Sequence, residues 1–314
     1  MDHFSFKELV ILISVFLFVA IFTYSSRNMR LYTLESIKVT EPVNLYLHER
    51  TNLTQLSELM DSLSIDYSRE ELLWAGQTLR WRVFNPGRYH INRNFTYSDF
   101  LSKLARGLQD PVRVTILPGV DKDRLSRNLS LQLRADSSSF RAIFSDSSSV
   151  ALELDLTGEE LFSRMLPNTY ELFWTAEPAQ VIRRVHREFM TAVNERYRDE
   201  IEANALNLNE IVILASIVEW ESRVNEEKPR VSGLYLNRLQ RGMMLQADPT
   251  VVYALGERRR LLFVDYEIDH PYNTYRIRGL PPGPITNPAL SSIRAVLYPE
   301  EHDYLFMVAT PEGT

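Results

Sequence analysis

The longest apolar run in the chain lies near its start. Leu9 to Ser26 is eighteen residues without a charge, bracketed by Lys7 and Glu8 on one side and Arg27 on the other. At about 1.5 Å per residue a helix of this length reaches about 27 Å, close to the hydrocarbon thickness of a thin bilayer. A helix apolar all round has no face to offer water, so we expect a transmembrane anchor over 9–26, preceded by a short N-terminus at 1–8. The exit sequence TYSSRNMR lacks the small-x-small site of a cleaved signal peptide. Flanking charge speaks against an outward-facing body: Lys7 is the one Lys or Arg before the span, whereas Arg27, Arg30 and Lys38 follow it.

After the span the periods shorten. Leu31 to Asn44 reads as an extended connector. Leu53, Leu56, Leu59, Met60 and Leu63 recur at three and four, predicting an amphipathic helix, and Phe100, Leu101 and Leu104 predict another that stops at Gly107. Between them Asn85-Pro86-Gly87 marks a turn and Arg88 to Ile91 a short strand. Val112, Val114 and Ile116 alternate with Arg113 and Thr115, a half-buried strand closed by Pro118-Gly119. The Ser-rich stretch 136–149 predicts a surface loop around a short helix. Ile182, Val185, Phe189 and Val193 stripe a helix whose charged face is expected to be solvated. Near the end, YLFMVA is strand-like. A strand, two helices and a strand within about seventy residues after the span make a compact α+β module.

The segment Asn207 to Ser222 carries the most specific chemistry. Asn207 with Glu210 resembles a capping box, and Ile211 to Val218 is apolar at every position except Ser216. Glu219 ends this helix, one turn above Ala215. A carboxyl held against apolar surface there is disfavoured as an anion and suited to donating a proton; the plain alternative is a helix-end Glu that reaches water or pairs with Arg223. Glu221 lies about 200° further round the helix, so the two are not expected to face one another. Further on, Gln246 and Asp248 sit in a turn before Pro249, where a plain cap for the next helix is one reading of Asp248 that spacing alone does not decide. His270 to Pro288 gathers Tyr272, Asn273, Thr274 and Tyr275 ahead of a proline-rich loop, equally readable as a sugar-binding surface and as a rigid turn.

Composition narrows the classes. A chain of 314 residues, 45% hydrophobic, can bury a sizeable core. With 35 basic against 41 acidic residues the net charge is −6, which excludes the basic excess needed to neutralise nucleic-acid phosphates. There is no cysteine, and the six histidines are scattered without a His-Glu-x-x-His pair, so neither a metal site nor a cofactor is expected.

Four ordered motifs, LASIVEWES, LNRLQRGMMLQADPTVVYALG, YNTY and GLPPGPITNP, together with PGRYHI, VTILPG and LPNTYELF upstream, resemble the YceG-like family of endolytic lytic transglycosylases. The resemblance implies a LysM-like α+β module over 38–108 and an α+β catalytic domain over 109–314. It implies Glu219 as the catalytic glutamate. Gln246, Asn273 and Tyr275 fall in motifs expected to line a glycan cleft and, with Glu221, make up the expected substrate-binding set. Asn168 stands where members usually have Asp, and Trp220 where a polar residue is common. The family usually continues past the position of Thr314 with a further segment and a terminal helix, so a truncated or unusual C-terminus is expected.

The implied reaction is cleavage of the MurNAc-β-1,4-GlcNAc bond within nascent peptidoglycan strands, leaving a 1,6-anhydroMurNAc end. One carboxyl serves as acid and then base, because the muramyl 6-hydroxyl attacks its own C1 and no second carboxylate is required. The implied setting is the bacterial cytoplasmic membrane, single-pass, catalytic domain outside, near penicillin-binding proteins. Two alternatives remain at this stage: a hydrolytic muramidase on the same site, and a non-catalytic glycan-binding scaffold.

Overall fold

The computed structural model describes residues 5–307. Helix α1 (Phe6–Tyr32) contains the apolar run and extends past it by a turn and a half, so the expected connector begins later than its first residue; Leu31 is already buried. It is the one helix, among the described residues, long and apolar enough to cross a membrane.

The chain forms two compact units, one reaching Pro111 and including Phe173–Thr175, the other comprising Val112–Leu172 and the residues from Ala176 onward. In the first, β1 (Val43–Leu47) runs into β2 (Thr51–Asn52), α2 (Leu53–Ser62), α3 (Arg69–Leu79), β3 (Val83–Phe84), β4 (Gly87–Ile91) and α4 (Tyr97–Ala105). Strand β1 pairs antiparallel with β4, Leu45 opposite Tyr89 and Leu47 opposite Gly87. Alternation places Leu45, Leu47, Tyr89 and Ile91 on one buried face, where they meet Leu56, Met60, Leu72, Phe100 and Leu104. A Cβ at Gly87 would lie 2.5 Å from Gln109 Cγ, so a larger residue there would displace the Gln109 side chain. Helix α2 starts on a reciprocal Asn52–Gln55 capping box, and α3 on a Ser68 cap.

In the second unit β5 (Val112–Ile116) pairs antiparallel with β6 (Asn168–Leu172), with Val114 opposite Tyr170. Between them run α5 (Lys122–Ser130), α6 (Ser137–Ile143), α7 (Ser149–Leu154) and α8 (Gly158–Ser163). The Ser-rich stretch holds the short helix α6 followed by a turn, as expected, and Phe140 and Phe144 insert from it into the core. Helix α9 (Pro178–Phe189) continues as a π-helical segment to Glu195, and its predicted stripe of Ile182, Val185, Phe189 and Val193 is buried. Its charged face is solvated as expected, with Arg184, Arg187 and Glu188 exposed and Arg183 in a surface ion pair with Glu153 at 2.7 Å.

A short α10 (Arg198–Ala203) leads to α11 (Leu208–Glu221), around which α12 (Lys228–Gln240), α13 (Asp248–Leu255) and α14 (Leu290–Leu297) gather. Every residue of α11 from Ile211 to Val218 is buried. At about 1.5–3 kcal/mol for each large apolar side chain, this helix anchors the second core. The strand expected at YLFMVA is absent over Tyr304–Met307; the remainder of that motif lies outside the described residues.

Candidate active site

The site is assembled at the C-terminal end of α11. The Asn207–Glu210 capping box opens the helix, as the sequence predicts, and the chain leaves it in extended conformation at Ser222. The one polar residue inside the buried stretch, Ser216, donates to Ile213 O at 2.7 Å and accepts the Ile285 N–H at 3.0 Å, tying the helix to the proline-rich loop. A β-type or apolar residue at 216 would leave that buried N–H without an acceptor.

Glu219 is not packed against apolar surface in the way its position predicts. Its Oε2 accepts the Ala289 backbone N–H at 3.0 Å, the Ser292 hydroxyl at 2.5 Å and the Lys228 ammonium at 3.2 Å. Ala289 and Ser292 come from the start of α14, and Lys228 opens α12, so three helix ends meet at one carboxylate oxygen. Lys228 is itself nearly inaccessible and also donates to Ser291 Oγ at 3.3 Å. The partner is Lys228, therefore, and not Arg223. Among the described residues no hydrogen bond is made to Glu219 Oε1.

Glu219 lines a cleft of about 620 Å³ that also exposes Glu221, Asp248, Trp220, Pro118 and Gly119. Gly119 has φ +65°, the left-handed region glycine tolerates, and a Cβ on it would sit 3.4 Å from Trp220 Nε1. Its carbonyl accepts from Trp220 Nε1 at 3.0 Å and Arg258 Nη2 at 2.8 Å. Asn287 fixes this turn from behind, accepting the Val120 N–H at 3.1 Å and donating to Leu117 and Met165 carbonyls, both at 3.0 Å. The VTILPG and GLPPGPITNP motifs are thus one structural piece, welded together under the cleft.

Glu221 shares the cleft with Glu219 despite the helical angle between them, because α11 ends there and the cleft wraps its terminus. Burial pushes the Glu221 carboxyl up to about 6; the nearby Tyr235 hydroxyl opposes the rise, Asp248 adds to it and Arg238 opposes it. Its Oε2 and the Tyr235 hydroxyl are both buried without a well-aligned hydrogen-bond partner.

Asp248 does not cap α13, whose N-cap is Ala247. Its carboxylate accepts the Tyr275 hydroxyl at 2.6 Å and the Tyr266 hydroxyl at 3.3 Å. Tyr275 thus reaches the cleft wall through Asp248. Gln246 and Asn273 stand elsewhere than expected. Gln246 is solvent-exposed at φ 47°, outside the cleft lining, held by its N–H to Thr274 O at 3.1 Å. Asn273 is wholly buried; its amide donates to the Tyr266 and Ile268 carbonyls at 3.0 and 2.8 Å and accepts the Tyr275 N–H at 3.1 Å. Its role is to shape the loop, and its polar atoms are already engaged there.

No group of three or more His, Asp or Glu placed to hold a metal ion occurs among the described residues. The residues that sequence reasoning overlooked are Lys228 and Ser292, each followed or preceded by unremarkable polar neighbours and recruited only when α12 and α14 close on α11.

The profile of the YceG-like family matches residues 45–314. An endolytic murein transglycosylase of Bacillus subtilis is 26% identical, the alignment covering 86% of this chain and 79% of that protein. One of Streptococcus pneumoniae is 28% identical, over 71% of this chain; the match spans 46% of the pneumococcal protein's length. The crystal structure of a putative yceG-like protein from Listeria monocytogenes superposes with a TM-score of 0.60 at 25% identity, covering 86% of this chain and 94% of that one. With the family match extending over most of its length, the chain belongs to the YceG-like family.

Proposed function

We propose that this chain is an endolytic lytic transglycosylase of peptidoglycan, with Glu219 as its acid and base. The observation that carries the reading is the clamp on Glu219: three donors fix Oε2 while the same side chain lines an open cleft. A carboxyl held by one oxygen leaves the other to move protons along a fixed line, which is what one residue serving twice requires. The names of the Bacillus and Streptococcus relatives support the same chemistry.

In the proposed reaction a proton taken up on Glu219 Oε1, the oxygen outside the Lys228 clamp, passes to the oxygen bridging MurNAc C1 and GlcNAc C4. The C1–O bond breaks, its electron pair staying with that oxygen, which becomes the free 4-hydroxyl of GlcNAc. The muramyl 6-hydroxyl oxygen bonds to C1, its proton passes to Glu219, and the 1,6-anhydro ring closes. No water is consumed. Glu221 and Asp248 offer polar contacts to the sugars along the cleft, and Tyr275 holds the Asp248 carboxylate from behind. Lys228, Ser292 and the Ala289 N–H keep the carboxyl in place through both transfers.

The first unit supports a LysM-like reading through its β1-α2-α3-β4 order and antiparallel β1–β4 pair. Helix α1 serves as a single-pass membrane anchor with the catalytic unit outside the cytoplasm. Arg30, one of the cations that argue against this topology, lies over the Trp74 ring at 4.1 Å and pairs with Glu71 at 3.1 Å. Its charge thus belongs to the folded unit and is partly neutralised there. Proximity to penicillin-binding proteins rests on family resemblance alone.

Digestion of uncrosslinked glycan strands in oxygen-18 water tests the reaction. A lytic transglycosylase leaves anhydro ends free of the label; labelled reducing ends would make the protein a muramidase, and uncut strands would favour the scaffold.

A further inference from the structure

A second cavity, about 420 Å³, adjoins the cleft, and Trp220, Val252 and Arg258 line both. The wall between them is tied together by Trp220 and Arg258. The Arg258 guanidinium lies 4.2 Å over the Trp220 ring, and both side chains donate to the Gly119 carbonyl. Cation–π stacking and a shared acceptor leave little freedom to either side chain.

The lining of this second cavity is charged, in contrast to the substrate backbone it would meet. Lys122 pairs with Glu159, and Arg141 with Asp123 at 2.7 Å. Arg127 is solvent-exposed and makes no ion pair among the described residues, and Glu257 stands opposite in sign in the same lining. The sugar backbone of peptidoglycan carries no ionised group, so nothing in it answers these charges. The peptide stem borne on each muramyl lactyl ether does: it carries free carboxylates and, where it contains a diamino acid, an amine.

We propose that the second cavity receives the muramyl peptide stem, Arg127 and Arg258 meeting its carboxylates while the Trp220–Arg258 pair separates the stem from the sugar chain at Glu219. This rests on the reading of the chain as a peptidoglycan enzyme. Arginine suits the task because its planar fork bonds a carboxylate through two parallel N–H groups. The consequence is selectivity: strands carrying stems bind better than stripped strands.

The test is equilibrium binding of the full chain, in detergent and as Glu219→Gln so that strands stay intact. Its two probes are immobilised uncrosslinked strands with stems and the same strands stripped by an amidase. Stem-bearing strands are expected to bind about tenfold more tightly, the scale of one charge-assisted hydrogen bond. Arg127→Glu, at an exposed position that does not endanger folding, is expected to bring the ratio close to one; Arg258→Gln should lower it. Arg184→Glu, an equivalent charge change on α9, should leave it intact. Equal binding to the two probes, binding to neither, or a ratio unchanged in both Arg127→Glu and Arg258→Gln would overturn the proposal. Stem-dependent binding by a protein whose wild type forms no anhydro ends would instead remove the enzymatic reading and leave the stem site standing.

Discussion

Lys228 Nζ lies 3.2 Å from Glu219 Oε2, with the lysine side chain 3% exposed and the glutamate 9%. An ion pair so far out of water gains from mutual attraction and loses by desolvation, and the two nearly offset. Removing one partner strands the other. Lys228→Met is therefore expected to destabilise the protein by about 3 kcal/mol, and Lys228→Met with Glu219→Gln by distinctly less, because the second change removes the stranded charge. Urea unfolding of the two single variants and the double measures the coupling. Additive losses would mean that the pair is not a structural unit.

Ser216 accepts the Ile285 N–H at 3.0 Å in a fully buried position. Ser216→Ala leaves that N–H unsatisfied, a cost of about 1–3 kcal/mol. The loss should reach activity as well as stability, because Ile285 belongs to the loop that continues into Asn287, Ala289 and Ser292. Thermal melting and rate of strand cleavage should fall together; a stable but slow variant, or a destabilised but fully active one, would separate the loop from the site.

Glu221 gives a pH-dependent prediction. Burial pushes its carboxyl up to about 6 in the folded protein from the 4.5 of a free glutamate, so the folded state holds the proton more tightly than the unfolded. Below the unfolded value both states are protonated and nothing is lost. As pH rises from about 4.5 to about 6 the folded state pays for ionising a buried group, and stability declines by about 2 kcal/mol. Glu221→Gln should consequently be more stable than wild type at pH 8 and no more stable at pH 4. Equal gains at both would show that shape, and not charge, sets the difference.

Periodic elements were legible in the sequence: the apolar run within α1, the α2 and α4 stripes, the β5 alternation and the Asn207–Glu210 start of α11. Helix α3 was not. Its first turn is Arg69-Glu70-Glu71, and its buried residues are only Leu72, Ala75 and Gly76, too small a stripe to stand out against charge. Glu219 stands out in the sequence through the family resemblance of LASIVEWES; its place at the end of an apolar helix leaves a plain helix-end glutamate open as well. The environment of Glu219 was not legible, since Lys228 sits in the charged run Asn225 to Arg230, which reads as surface, and becomes buried only through the meeting of α11, α12 and α14. Asn273 shows the converse. Its place among tyrosines suggests sugar contact, yet three internal hydrogen bonds engage its amide, a distinction that lies in loop geometry and leaves no mark on composition.

The most direct measurement is the rate at which the purified protein forms 1,6-anhydroMurNAc ends on uncrosslinked strands, compared between wild type and Glu219→Gln, with thermal melting run on both. A glutamine keeps the shape of the side chain and can hold no transferable proton, so the rate is expected to fall at least about a thousandfold while the variant still melts cooperatively. A folded Glu219→Gln protein that forms these ends within about tenfold of the wild-type rate would contradict Glu219 as the acid and base.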